Sequence, residues 1–188
     1  MTLEPSDEAL AFQAQQGDKS AFDDLVRKHK APLYRFVRRY VGDGDDAYDI
    51  VQDAFISAWG ALKRYDPGRD FAPWLRTIAL NKCRDFGRRR AVRRLLLRAK
   101  AAEPVEPETY ETTQDAAAVE ARDAVRLRRL DQAIAALPAF YKEPLLLTMV
   151  SGLSHQDAAE QLKTSAKAIE MRLRRARKKL AEALVDLA

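Results

Sequence analysis

The stretch 152–180, GLSHQDAAEQLKTSAKAIEMRLRRARKKL, decides how this chain is read. Ser154 can cap a short helix, and Asp157 three residues later completes a capping box. Ala158, Ala159 and Leu162 give that helix a small apolar face. Lys163 and Thr164 interrupt the pattern. Ser165 can cap a second helix, on which Ile169, Leu173, Ala176 and Leu180 recur at helical spacing. Lys167, Arg174, Arg175, Arg177, Lys178 and Lys179 cluster away from that apolar face, with Glu170 and Met171 near the helix start. A short helix, a turn and a longer helix with one apolar and one basic face form the pattern of a helix-turn-helix. Laid in a major groove, the second helix offers its first residues to base edges and its later cations to phosphates. Ser165, Lys167, Glu170, Met171, Arg174, Arg175 and Lys178 are the candidate duplex-reading residues. The competing reading is a solvated basic helix that closes a bundle.

Working outward, the 188 residues suffice for one or two small domains. The net charge of +5 and a pI of about 9.4 suit a nucleic-acid partner without requiring one. The charge is segregated. Arg88 to Lys100 holds seven cations and no acid, whereas Glu103 to Asp123 holds seven acids and one cation, Arg122. Such blocks point to distinct surfaces. Cys83 is alone, so no internal disulfide can form, and a cysteine-based metal site is not expected. No apolar run is long enough to span a bilayer, and the N-terminus lacks a signal-peptide layout, so a soluble cytoplasmic protein is expected. With little β-branched alternation and few glycines, the chain reads as all-α.

From the N-terminus, Ser6 or Asp7 starts a first helix that Gly17 ends, and Asp18 caps the next. Phe22, Leu25, Val26, His29, Leu33, Phe36, Val37 and Tyr40 form a continuous stripe, inside which Pro32 should kink or split the helix. His29 reads as a satisfied core or boundary histidine. Asp45 or Asp46 opens a third helix with Ala47, Ile50, Val51, Ala54, Phe55, Ala58, Trp59 and Leu62 buried. Asp46, Asp49, Gln52 and Asp53 face outward. Asp49 and Asp53 repel at i, i+4, so the stripe serves either a basic partner or simply solvent. Residues 63–72 form a loop around Asp66-Pro67-Gly68, and Pro73 fits the first turn of a fourth helix. Its core side is Leu75, Ile78, Ala79 and Phe86. Trp74, Asn81, Asp85 and Arg88 fall along another side, with Lys82, Arg84 and Arg89 beside them. An aromatic ring that stacks a base, an amide and several cations suit unpaired nucleic acid. Trp74 fits an ordinary core position equally well.

Residues 101–115 are Pro-rich and acidic, the composition of a flexible linker between two small helical domains. The expected division is 1–98, a linker at 99–118, and 119–188. Val119, Leu127, Leu130, Ile134 and Leu137 suit a helix that Pro138 ends. Leu145, Leu146, Met149 and Val150 suit a short apolar helix with Pro144 near its first turn and Gly152 as its stop.

In this order the parts resemble the extracytoplasmic-function sigma factors of bacterial RNA polymerase. Three motifs carry the resemblance: DDAYDIVQDAFISAW at 45–59, FAPWLRTIALNKCRDFGRRR at 71–90, and the segment 137–180 that ends in the helix-turn-helix. The resemblance implies core-polymerase binding by the first, minus-ten recognition and melting by the second, and minus-thirty-five recognition by the third. Asp46, Asp49, Gln52 and Asp53 would meet the polymerase β′ subunit, with β the other core partner. Asn81 would contact a flipped base, with the loop 64–70 and its Arg69 walling the pocket. Trp74 and the run Arg88 to Arg90 would hold duplex and strand near the melting point, and Lys82 and Asp85 join Arg69, Trp74, Asn81, Arg88 and Arg89 in the minus-ten set. The partners are then core RNA polymerase and promoter DNA, and an anti-sigma factor is expected. No cofactor, metal or catalytic residue is implied. Tyr48 departs from the family, standing where an acid is usual, and so does Lys163, where a small residue is common in the turn.

Two other classes compete. A stand-alone helix-turn-helix regulator shares the C-terminal part but does not require Asp49, Asp53, Trp74 or Asn81, and no receiver-like strand–helix alternation is visible. An enzyme would need a phosphate loop, a metal cluster or a nucleophile–base pair, and none is evident.

Overall fold

The computed structural model describes residues 5–100 and 118–185, and among these every regular element is helical. The N-terminal half holds α1 (Asp7–Gln15), α2 (Lys19–Val41), α3 (Gly44–Ala61) and α4 (Phe71–Lys100). A 3-10 turn at Leu62–Arg64 follows α3. The C-terminal half holds α5 (Ala118–Ala136), α6 (Ala139–Met149), α7 (His155–Gln161) and α8 (Ala166–Val185). The linker expected at 101–115 and the side chain of Val119 lie outside the described residues.

Local chemistry places the helix starts. The Asp18 carboxylate accepts from the backbone N–H groups of Ser20 and Ala21, and Asp43 accepts from Asp45 and Asp46. Helix α3 therefore begins at Gly44, earlier than Asp45 or Asp46, because the cap is Asp43. The capping box between Ser154 and Asp157 is present. Gly42 ends α2 with φ +84°, donating its N–H to Arg38.

The four N-terminal helices wrap around Leu25, Phe36, Val37, Val51, Leu75 and Leu80, all essentially buried. Leu146, Leu147, Ile169 and Leu173 do the same for the C-terminal half. Each fully buried side chain of this kind contributes about 1.5–3 kcal/mol. The two sets form one contiguous core, so the halves are packed together.

Several expectations change. Pro32 does not split α2, which runs unbroken to Val41. The flanking buried stripe outweighs the one hydrogen bond that proline removes. Pro144 lies beyond the first turn of α6 and is buried there, again without ending the helix. Trp59 is substantially exposed, lying against Phe22 with ring centroids 4.9 Å apart. Leu127 and Met149 are exposed although their spacing suggested core positions. Tyr65 and Phe71 are buried, although they fall in the segment expected to be a loop. Gln15 donates to the carbonyls of Leu62 and Tyr65 at 2.8 and 2.6 Å, so α1 pins the turn that leads into α4.

Candidate nucleic-acid interface

Helix α3 presents Asp49, Gln52 and Asp53 to solvent, with Asp46 half-buried at the same face. Burial, then the neighbouring Asp43 carboxylate, raises the Asp46 pKa above its ordinary value, against the pull of Arg90. Arg90 stands 4.0 Å from Asp46, so the basic tract of α4 runs beside the acidic stripe of α3. Ile56 and Trp59 expose apolar surface further along the same helix.

Helix α4 begins in an aromatic cluster. Trp74 is half-buried, its ring centroid 4.8 Å from that of Tyr65 and 5.4 Å from that of Phe71. His29 also lies against Phe71 and is hydrogen-bonded to Asp7 at 2.7 Å, so it is a satisfied boundary histidine. Asn81 is exposed further along the helix, and its Oδ1 accepts from Arg84 Nη1 at 3.2 Å. Lys82 and Asp85 are half-buried, and Arg88 and Arg89 are exposed. Arg88 is paired with Asp85. Arg69 is exposed before the helix, 3.5 Å from Asp66. The structure thus brings Trp74, Asn81, Lys82, Asp85, Arg88 and Arg89 onto one helix and leaves Arg69 on the preceding turn.

Helix α8 buries Ile169, Leu173 and Ala176 and exposes Lys167, Glu170, Met171, Arg174, Arg175 and Lys178, as its period requires. Ser165 caps it through the Ala168 N–H at 3.2 Å. The turn before it holds Lys163 at φ +52°, a left-handed conformation that costs a side-chain-bearing residue about 1 kcal/mol. Arg172 lies over the Phe140 ring at 3.9 Å and tethers α8 to α6.

Sequence reasoning missed the junction of the two halves. Lys142 and Glu143 are buried on α6. The Lys142 ammonium donates to the carbonyl of Tyr40 at 2.9 Å and to that of Ala135. It therefore caps the C-terminal ends of both α2 and α5, where helix dipoles favour a cation. Burial pushes its pKa down to about 8. Glu143 accepts from the Tyr40 hydroxyl at 3.1 Å and from Arg84 through Nε and Nη2 at 2.7 and 2.5 Å. The hydrogen bond from Arg84 to Glu143 raises the arginine's pKa. Arg39 reaches Asp131 at 3.4 Å, and Gln161 of α7 donates to the Pro73 carbonyl and lies 3.3 Å from the Thr77 hydroxyl. The available signal was two charges set inside the apolar run 137–150. No group of metal-ligating side chains stands together among the described residues, nor is any described helix long and apolar enough to cross a membrane.

The description "Sigma-70 region 2" matches residues 25–93, which span α2 to α4, and "Sigma-70, region 4" matches 127–180, which end in α8. RNA polymerase sigma factor NccH of Alcaligenes xylosoxydans xylosoxydans is 43% identical over 182 residues, covering 96% of this chain and 95% of its own length. The ECF RNA polymerase sigma-E factor of Haemophilus influenzae is 30% identical over 181 residues, with 94% of each chain covered. This chain belongs to the extracytoplasmic-function sigma factors. The solved structure of CnrH with the cytosolic domain of CnrY superposes on it with a TM-score of 0.70 at 31% identity, over 97% of this chain and 99% of that one. As a sigma factor the protein binds core RNA polymerase, directs it to promoters and takes part in opening DNA at initiation. Helix α3 and the first half of α4 lie within the region 2 match, and α7 with α8 as far as residue 180 within the region 4 match.

Proposed function

We propose that the three exposed faces divide the work of this sigma factor. Asp46, Asp49, Gln52 and Asp53 on α3 meet a basic surface of the polymerase β′ subunit, with Ile56 and Trp59 adding apolar area. Arg69, Trp74, Asn81, Lys82, Asp85, Arg88 and Arg89 contact the minus-ten element, where Asn81 hydrogen-bonds a base turned out of the stack. Ser165, Lys167, Glu170, Met171, Arg174, Arg175 and Lys178 read the minus-thirty-five duplex. The division follows the expected domains, 1–98 and 119–188 around a linker at 99–118. The protein does no chemistry of its own and acts in the cytoplasm, where its polymerase is. An anti-sigma factor holds it inactive, a reading supported by the solved complex of CnrH with CnrY.

The observation that carries the assignment of α4 is the exposed Asn81 amide on a helix face with cations one and two turns further on. Extruding a base costs a few kcal/mol of stacking, about the amount that such amide contacts, ring stacking and phosphate pairing can return. The test is run-off transcription with core polymerase, this protein and host promoter fragments. Protein-dependent transcripts that fall about tenfold or more with Asn81→Ala support the reading, since one base contact is worth about 1–3 kcal/mol. Transcripts indifferent to Asn81→Ala refute the role of that residue.

A further inference from the structure

We propose that Arg84 is a phosphate-binding residue of the strand-recognition helix, and that Glu143 occupies it in the closed chain as an intramolecular stand-in for that phosphate. The inference rests on the assignment of α4 to promoter-strand contact.

The geometry is that of a fork filled by an anion. Arg84 presents Nε and Nη2 to the two Glu143 oxygens at 2.7 and 2.5 Å, the bidentate arrangement that a guanidinium also makes with phosphate. Its third nitrogen, Nη1, reaches Asn81 Oδ1 at 3.2 Å. One guanidinium therefore joins the base-reading amide to an anion site a turn further along the helix. The Arg84 side chain keeps 38% exposure while Glu143 keeps 8%. The arginine thus belongs to the surface of α4, and the carboxylate is brought to it by α6. On the other side of Asn81, Gln161 of α7 sits on Thr77 and the Pro73 carbonyl. Two groups from the C-terminal half bracket the promoter-strand residue, one turn before it and one turn after.

This closed arrangement is incompatible with reading both elements. Minus-ten and minus-thirty-five sites lie about 25 base pairs apart, about 85 Å of duplex at 3.4 Å per pair. A compact chain of this length has a radius of gyration of about 16 Å, hence a span of about 40 Å. The halves must part, and the pair between Arg84 and Glu143 must part with them. A cavity of about 140 Å3 lies between α2, α4 and the turn after α6, lined by Pro32, Phe36, Leu75, Arg76 and Val150. Arg76 Nη1 is buried there without a hydrogen-bond partner among the described residues. Once α6 leaves, a strand phosphate can take the carboxylate's place at no cost in new geometry.

The first test uses the full chain and a fluorescein-labelled single-stranded oligonucleotide of mixed sequence, followed by anisotropy across a salt series. Glu143→Gln is expected to bind about five- to tenfold tighter than the native chain at low salt. The slope of log K against log salt should steepen by about 0.7, the value for one further phosphate contact on a single strand. In the double variant Glu143→Gln/Arg84→Gln the gain is expected to vanish. No gain in Glu143→Gln, or a gain that survives in the double variant, overturns the proposal, since mere loosening of the halves would not need Arg84. The second test covers the case in which Glu143→Gln fails to fold. In reconstituted holoenzyme, Arg84→Gln is expected to lower heparin-resistant open complexes about tenfold at a promoter that the native protein opens, with Arg84→Lys partly restoring them. Unchanged open complexes overturn the assignment of Arg84 alone. If the native protein itself opens no promoter, it is the underlying reading of α4 that fails, and this inference fails with it.

Discussion

Helices α4 and α8 each carry a cationic face, yet they are held in opposite ways. Helix α8 packs its apolar stripe of Ile169, Leu173 and Ala176 within its own half and leaves Arg174, Arg175 and Lys178 outward. Helix α4 is buried on one side by α2 and α3 and is gripped on its outward side by Glu143 and Gln161. A surface helix needs only its own periodicity to present cations. A helix at a junction between two packed halves presents whatever the second half leaves uncovered. The residues proposed to read duplex are thus available in the closed chain, while the face proposed to take the single strand is occupied beside Asn81.

The strongest contrast should appear at Cys83, on the inner side of α4. Burial pushes the thiol's pKa up to about 12 from an ordinary value near 9. A thiolate fraction lowered by three pH units is expected to make alkylation at pH 8 about a thousandfold slower than in the urea-unfolded chain. The sign for stability follows from the same shift. The folded state holds this proton more tightly, so its contribution is complete below pH 9 and is lost as the pH climbs through 12. Denaturant titrations at pH 8 and pH 11 should show the fold weaker at the higher pH, and less so in Cys83→Ala.

Removing the staple between the halves should come next. Lys142→Met leaves the carbonyls of Tyr40 and Ala135 without their shared donor, at a cost of about 3 kcal/mol. Hydrogen exchange should quicken along Thr77–Arg84 of α4 and stay unchanged in the middle of α8. Equal quickening in both would mean that α8 depends on the junction as much as α4 does. Gly42→Ala attacks the junction from the other side. The position has φ +84°, and an added Cβ would lie 2.7 Å from that of Ala135, so a loss of about 1–2 kcal/mol is expected by thermal melting. Replacing both Arg174 and Arg175 by Ala should weaken duplex binding about tenfold. Its salt slope should fall by about 0.9 for each phosphate left without its arginine, with the melting temperature unmoved. The smallest effect belongs to the turn of the helix-turn-helix. Lys163→Gly removes a left-handed strain and is expected to stabilise by about 0.5–1 kcal/mol, with DNA binding intact.

Much of the molecule was legible residue by residue. Ser154 with Asp157, Asp18 before α2, and the stripes of α2 and α8 obey rules that act within four residues, and the helices stand where those rules put them. The candidate residues on α3, α4 and α8 fell on exposed or half-exposed faces for the same reason. The failures were of another kind. Leu127 and Met149 had core spacing yet are exposed, and Trp59 packs one face of its ring on Phe22 while the other stays in solvent. Tyr65 and Phe71 sat in a turn-rich segment, where no period announces burial, and were buried because α1 and Trp74 close over them.

The sequence by itself determined an all-helical chain, where most of its helices start, which faces are acidic or basic, and the motifs that mark a sigma factor. These depend on neighbours a turn away, or on side chains that any solvent-facing helix would display. Only the tertiary structure decided that Lys142 and Glu143 are interior, that one ammonium caps two helices, and that Arg84 is engaged next to Asn81. Those contacts join residues that are mostly about 60 to 100 positions apart, where no local period or cap carries information. A charge in an apolar run is tolerable only if its partner arrives from elsewhere, and that partner is set by how the two halves meet.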